Sequence, residues 1–142
     1  MLKPHFYPHG SLDIKLDNDL ISMDIEGPCN TEFFELMAKR LASFRPQLNI
    51  DNYTCLVIFR DEALATPEAM AYFTNYLKTL QVRAVAINLQ YANTPSATQD
   101  MCTKAYIEAG VEHRFFFDNL SANTWLRLCM STPREAIALK TS

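Results

Sequence analysis

Asp61 and Asp118 are the residues of this 142-residue chain with the plainest potential for chemistry. Each closes an apolar run, and two convergent carboxylates can hold a hard cation such as magnesium, or one of them can serve as a general base. Arg60, Glu62, Asn88, Gln90, Tyr91, Asn93 and Asn119 stand in the same kind of place, just after an apolar segment, with donors and acceptors suited to a small polar ligand. Against turnover, no nucleophile with an adjacent base is visible. Carboxylates and amides also collect at helix starts for a simpler reason, since the first N–H groups of a helix want acceptors.

Other chemistry is poorly supported. With only Gly10, Gly27 and Gly110, no phosphate-binding glycine loop, dinucleotide fingerprint or nucleophile elbow can be written. His5 and His9 have the i,i+4 spacing of helical metal ligands, but Pro4 and Pro8 make that stretch extended. His113 has no partner motif and reads as a polar strand residue. Cys29, Cys55, Cys102 and Cys129 are far apart, with no C-x-x-C pair, and read as reduced, buried thiols. No metal and no cofactor is expected.

The elements that must position these residues follow from periodicity. Leu12, Ile14 and Leu16 alternate with charged residues, and after Asn18 and Asp19 so do Ile21, Met23 and Ile25: two half-exposed strands joined by a tight turn. Asn30 is suited to cap a helix whose apolar stripe is Phe34, Met37, Ala38, Leu41 and Phe44, with Glu35 and Lys39 facing solvent. Pro46 ends it, and residues 45–53 form a loop. Residues 54–59 and 82–89 are apolar without alternation, as strands covered on both faces should be. Each is followed by a polar stretch and a Thr-Pro pair, Thr66-Pro67 and Thr94-Pro95. A threonine cap accepts from an orphan N–H, and proline at the first helical position has none to lose, so both pairs predict helix starts, at 67–80 and 95–109.

In the helix over 67–80 the inward residues are Ala69, Met70, Phe73, Leu77 and Leu80. Tyr72 and Tyr76 fall on its flank, either at the rim of the core or as a surface for a partner. Gly110 suits a left-handed helix end, residues 111–117 predict a fifth strand with Phe115, Phe116 and Phe117 in contact with the core on both faces, and residues 119–130 a last helix with Ala122, Trp125, Leu126 and Cys129 inward. Thr132-Pro133 opens a further short helix or a tail. The units are residues 1–9, extended; 10–130, one α/β domain; and 131–142, the tail. Strand–helix alternation implies a mixed, mostly parallel five-stranded sheet with four packed helices, whose polar loops gather at the C-terminal ends of the strands.

Length and charge bound the rest. A chain of this size buries roughly 70% of its unfolded surface, enough for one core without staples. A net charge of −3 with no Lys/Arg-rich stretch argues against nucleic acid. The first ten residues lack the apolar run of a signal peptide and no stretch is long enough to span a bilayer, so a cytoplasmic location is expected.

The order strand, strand, helix, strand, helix, strand, helix, strand, helix resembles the STAS domain (sulfate transporter and anti-sigma factor antagonist), especially the stand-alone bacterial SpoIIAA-like group. The features carrying the resemblance are the hairpin ending in Ile25, Glu26, Gly27 and Pro28, the helix start from Leu64 to Ala69, the strand Arg83-Ala-Val-Ala-Ile87, and Glu108-Ala-Gly-Val111 leading to Phe115 and on to Trp125 and Leu126. Together they span residues 10–130. Such a resemblance implies a non-enzymatic binding or regulatory module whose partner is a protein, a nucleotide or a small apolar ligand, and leaves a homodimer open. The chain departs from the antagonists at one point. Their phosphorylatable serine lies in Asp-Ser-[Ser/Thr]-Gly, whereas here residues 59–67 contain neither serine nor glycine, and Thr66 is the nearest hydroxyl. A phosphate on Thr66 would meet a helix N-terminus favourably, but capping alone accounts for that residue.

Three classes remain: an interaction module, with Tyr72 and Tyr76 on its surface; a carrier of a small apolar ligand; and a carboxylate enzyme using Asp61 and Asp118. If a ligand binds at the loop edge, Arg60, Asp61, Thr66, Asn88, Asn93 and Asp118 are the residues to touch it. A buried elongated apolar pocket would favour the carrier.

Overall fold

A computed structural model describes residues 7–132 of the chain. β1 (Ser11–Asp17) and β2 (Leu20–Glu26) form the expected antiparallel hairpin, with Leu12 opposite Ile25 and Leu16 opposite Ile21. Asn18, at φ 54°, makes the turn; asparagine is one of the few side chains that tolerates the left-handed region. β3 (Thr54–Asp61), β4 (Ala84–Ala92) and β5 (His113–Phe116) add in parallel, so the sheet runs β1-β2-β3-β4-β5 with the hairpin as its one antiparallel pair. Four helices complete it: α1 (Thr31–Ser43), α2 (Pro67–Leu77), α3 (Pro95–Ala109) and α4 (Asn119–Ser131).

The two faces of the sheet are covered unequally. Because successive side chains on a strand point to opposite sides, Cys55, Val57 and Phe59 of β3, with Val85, Ile87 and Leu89 of β4, face α1, α2 and α3. Leu56, Ile58, Ala84 and Ala86 face the other way, onto Ala122, Leu126 and Cys129 of α4, alone among the described helices. The alanines on that second face let a single helix lie close to the sheet. Both faces of β3 and β4 are therefore buried, which is why those strands carry no alternation. On the three-helix side a chain of rings ties the layers: Phe34 stacks on Phe73 at 4.8 Å between centroids, Phe73 meets Tyr106 edge-on at 6.0 Å, and Tyr106 stacks on His113 at 5.2 Å.

Several expectations need correction. Asn30 caps α1 by accepting from Phe33 N at 2.9 Å, and Thr66 caps α2 by accepting from Ala69 N at 3.1 Å. Thr94 does not cap α3: its backbone stands at φ −126°, ψ 69°, and its side chain accepts nothing from the helix. A capping threonine needs ψ near the extended value, as Thr66 has at 156°, to swing its oxygen over the first turn. Phe117 is exposed, not a core contact; β5 ends at Phe116, so the third phenylalanine lies beyond the pairing that would have covered it. α2 stops at Leu77, three residues before Leu80, while Leu80 still packs on the core. Phe33 and Tyr106 are fully buried although neither lay in the anticipated stripes. Gly110 does end α3 in the left-handed conformation, at φ 72°. The expectations for Pro4, His5, the Thr132-Pro133 start and the C-terminal tail fall largely on residues 1–6 and 133–142, outside the described residues.

Candidate functional site

The C-terminal ends of β3 and β4 and the start of α4 bring the loop-edge residues together, and the side chains of Arg60, Asn88, Asp118 and Asn119 are engaged within the protein. Arg60 Nε lies 2.6 Å from Asp24 Oδ1, and the guanidinium rests 4.6 Å above the ring of Tyr91. Asp61 adopts φ 51°, and its carbonyl accepts from Asn93 N at 2.8 Å, closing the end of the β3–β4 pair. Asn88 is fully buried; its Nδ2 donates to Asn119 Oδ1 at 2.8 Å, and its Oδ1 accepts from Gln90 N at 2.9 Å. Asp118 is the N-cap of α4 and accepts from Ser121 N at 2.6 Å. The Ser121 hydrogen bonds hold its carboxyl below the usual range, as an acceptor facing orphan N–H groups should be. Among the described residues no group of three or more His, Cys, Asp or Glu side chains is arranged to hold a metal ion.

The opposite end of the sheet differs in character. Between the C-terminal halves of α1 and α2 and the first residues of β2, β3 and β4 lies an apolar cavity of about 450 Å³. Its floor is the sheet: Ile21 and Met23 of β2, Cys55 and Val57 of β3, Val85 of β4. Met37, Ala38, Leu41 and Ala42 of α1 form one wall; Phe73, Tyr76 and Leu77 of α2 form the other, and Tyr106 closes the inner end. Arg45, Thr79 and Gln81, from the segments that follow the two helices, bring polar groups to the rim.

The local sequence explains why the space is open. Ala38 stands in the apolar stripe of α1 and Ala42 beside its exposed edge, where larger apolar residues would fill the space. Pro46 forces a short turn, Arg45–Gln47, that carries the chain away from α2. Residues 78–83 after α2 form no regular element, and Leu48, Ile50, Leu80 and Val82 line the opening rather than plugging it. A cavity of this size lies within the range of small-molecule sites, which span about 300–1,000 Å³ and are mostly apolar with a few polar groups.

Cys55 faces the cavity and its thiol is pushed up to about 12 by burial alone, so it is an apolar lining group and not a nucleophile. Tyr76 lines the cavity half-buried, and burial above all pushes its hydroxyl up to about 12. Tyr72, one turn earlier, packs partly buried against the core.

No family model matches the chain, and no curated protein is significantly similar to it. A solved structure does match: an uncharacterised protein of the DUF3478 family with a SpoIIAA-like fold from Shewanella loihica PV-4, at a TM-score of 0.61 and 18% identity, over 87% of this chain and 98% of that one. The chain has a SpoIIAA-like fold.

At that identity the likeness concerns architecture alone. Within the SpoIIAA-like fold of this chain, the sequence foretold the polar loop edge and allowed an apolar pocket for a carrier, but neither placed the cavity at the other end nor named its lining. The cavity's lining runs from Ile21 to Tyr106 and consists of ordinary core residue types, so no local motif marks it. The available signals were Ala38 in an otherwise bulky stripe, a second alanine one turn on at Ala42, and Arg45 beside Pro46 at the end of the helix. No helix among the described residues is long and apolar enough to cross a membrane.

Proposed function

We propose that this chain is a non-enzymatic binding module that holds a small apolar ligand in the cavity between α1, α2 and the sheet. The observation that carries this reading is the cavity itself: about 450 Å³, floored by Met23, Val57 and Val85 and walled by Phe73 and Leu41. Filling it would remove apolar surface of both protein and ligand from water, worth about 25 cal/mol per Å² before the costs of association. The side chains of the loop edge support the same reading from the other direction, since Asn88 ties β4 to α4, Asp118 caps α4 and Arg60 pairs with Asp24 of β2. Catalysis by Asp61 and Asp118 would require Asp118 to leave its cap.

Native mass spectrometry of protein purified from its own host, paired with titration of a neutral apolar naphthylamine dye, tests the reading. A retained small molecule, or saturable dye binding at one site per chain, is the expected result. A chain that carries nothing and gives no saturable dye signal would overturn it.

A further inference from the structure

The cavity has one charged lining side chain, Arg45, and that residue points to the kind of ligand. We propose that the cavity takes a single-chain amphiphile with an anionic head, the chain lying among Met23, Val57 and Phe73 and the head against Arg45. This rests on the reading of the cavity as a ligand site.

Three observations support it. Arg45 makes no side-chain hydrogen bond or ion pair among the described residues, whereas Arg60 spends its charge on Asp24 and Tyr91. A guanidinium has five N–H donors in a planar fork matched to carboxylate and phosphate oxygens. The cavity is also polarised along its length: Met23, Val57, Phe73 and Val85 line its inner part, while Arg45, Thr79 and Gln81 follow the helices at the rim. Third, Tyr76 lies close enough to Arg45 for their charges to couple and keeps its proton far above neutral pH, so its hydroxyl can donate to the same head.

The surroundings also act against an anion, and they set the size of the effect. α1 and α2 both end near the rim, and helix C-termini carry about half a negative charge each. Those ends would favour a cation at this place in any case. A cation recruited only for that purpose would bond their free carbonyls, and Arg45 does not. The exposed guanidinium and the two helix ends together leave a moderate preference for an anionic head. The volume sets the tail: about 450 Å³ is in the lower half of the range of small-molecule pockets, room for one chain and not for a two-chain lipid.

Displacement of the neutral naphthylamine dye by dodecanoate, dodecyl phosphate, dodecanol and dodecyltrimethylammonium, each below its micelle-forming concentration, tests this on the wild-type chain and on Arg45→Met and Arg45→Lys. The expected result is that one or both anions displace the dye at about fivefold lower concentration than dodecanol, with the cation weakest and the preference shrinking at high salt. Arg45→Met should bring the anions level with dodecanol measured on the same variant, with saturable dye binding and an unchanged melting midpoint reporting an intact cavity; Arg45→Lys should keep part of the preference. Dodecanoate leading would indicate a free carboxylate source and dodecyl phosphate a phosphorylated one, and either supports the proposal. Dodecanol matching the anions on the wild type, or an anion preference that survives Arg45→Met, would overturn it while leaving the cavity as a ligand site. Failure of all four to displace a saturably bound dye would overturn the amphiphile proposal, whereas absence of any saturable dye signal would overturn the cavity reading itself.

Discussion

Asn88 Nδ2 donates to Asn119 Oδ1 across 2.8 Å, joining the buried centre of β4 to the first residue of α4. With Gln90 N donating to Asn88 Oδ1, the fully buried amide side chain of β4 has a partner on both of its ends, and α4, which covers the second face among the described residues, is pinned where it begins.

Replacing Asn88 should therefore be costly. Asn88→Ala removes both bonds and leaves a cavity in a fully buried position, and about 2 kcal/mol of stability should be lost. Urea denaturation of the two proteins checks it, and a change under about 0.5 kcal/mol would show that the amide pair is not a fastening of α4.

The two Thr-Pro helix starts should respond differently to the same substitution. Thr66→Ala deletes the bond to Ala69 N and should cost about 1 kcal/mol, while Thr94→Ala deletes no cap bond and should fall within about 0.5 kcal/mol of wild type. Equal losses in thermal or urea melts would mean that α3 is capped in solution after all.

A plug at the rim should abolish dye binding without unfolding the chain. Ala42 is exposed on α1 yet borders the cavity, so Ala42→Trp places an indole across the opening from a surface position, where substitutions usually change stability by about 0.5 kcal/mol or less. Dye affinity should fall at least tenfold with the melting midpoint little changed. Undiminished binding would place the dye elsewhere.

Alkaline pH should weaken the fold through its thiols. Burial raises Cys29, Cys55 and Cys102 from the ordinary 9.0 to about 12 in the folded state. A group whose folded value is raised contributes stability fully present below its unfolded value and lost as pH climbs towards the folded one, here across pH 9 to 12. Denaturation midpoints should decline over that window, and less so in a Cys55→Ala variant compared with its own midpoint at neutral pH. Thiol titration of the native chain at pH 8 should be slow for the same reason; rapid labelling of all four cysteines would contradict their burial.

How far the sequence alone reaches can be judged element by element. Alternation at Leu12, Ile14 and Leu16, the unbroken apolar run before Arg60, and the caps at Asn30 and Thr66 are local signals. A strand's period, a loss of alternation under two-sided burial and an acceptor at a helix start are dictated by neighbours within a few residues, so the five strands, the four helices and their mixed sheet were determined by the chain as written. Where the outcome depended on residues far away, local reading failed. Thr94 has the same sequence context as Thr66, but its backbone is fixed by the end of β4 and the Asp61–Asn93 closure. Phe117 has the composition of a core residue and lies past the end of an edge strand. The cavity is enclosed by α1, α2 and the first residues of three strands, a property of distances between segments up to 85 residues apart in sequence, Ile21 and Tyr106. Side-chain type set what each element is; tertiary packing alone decided which apolar surfaces meet and which remain apart, because packing responds to the sum of volumes from every layer and no single segment carries that sum.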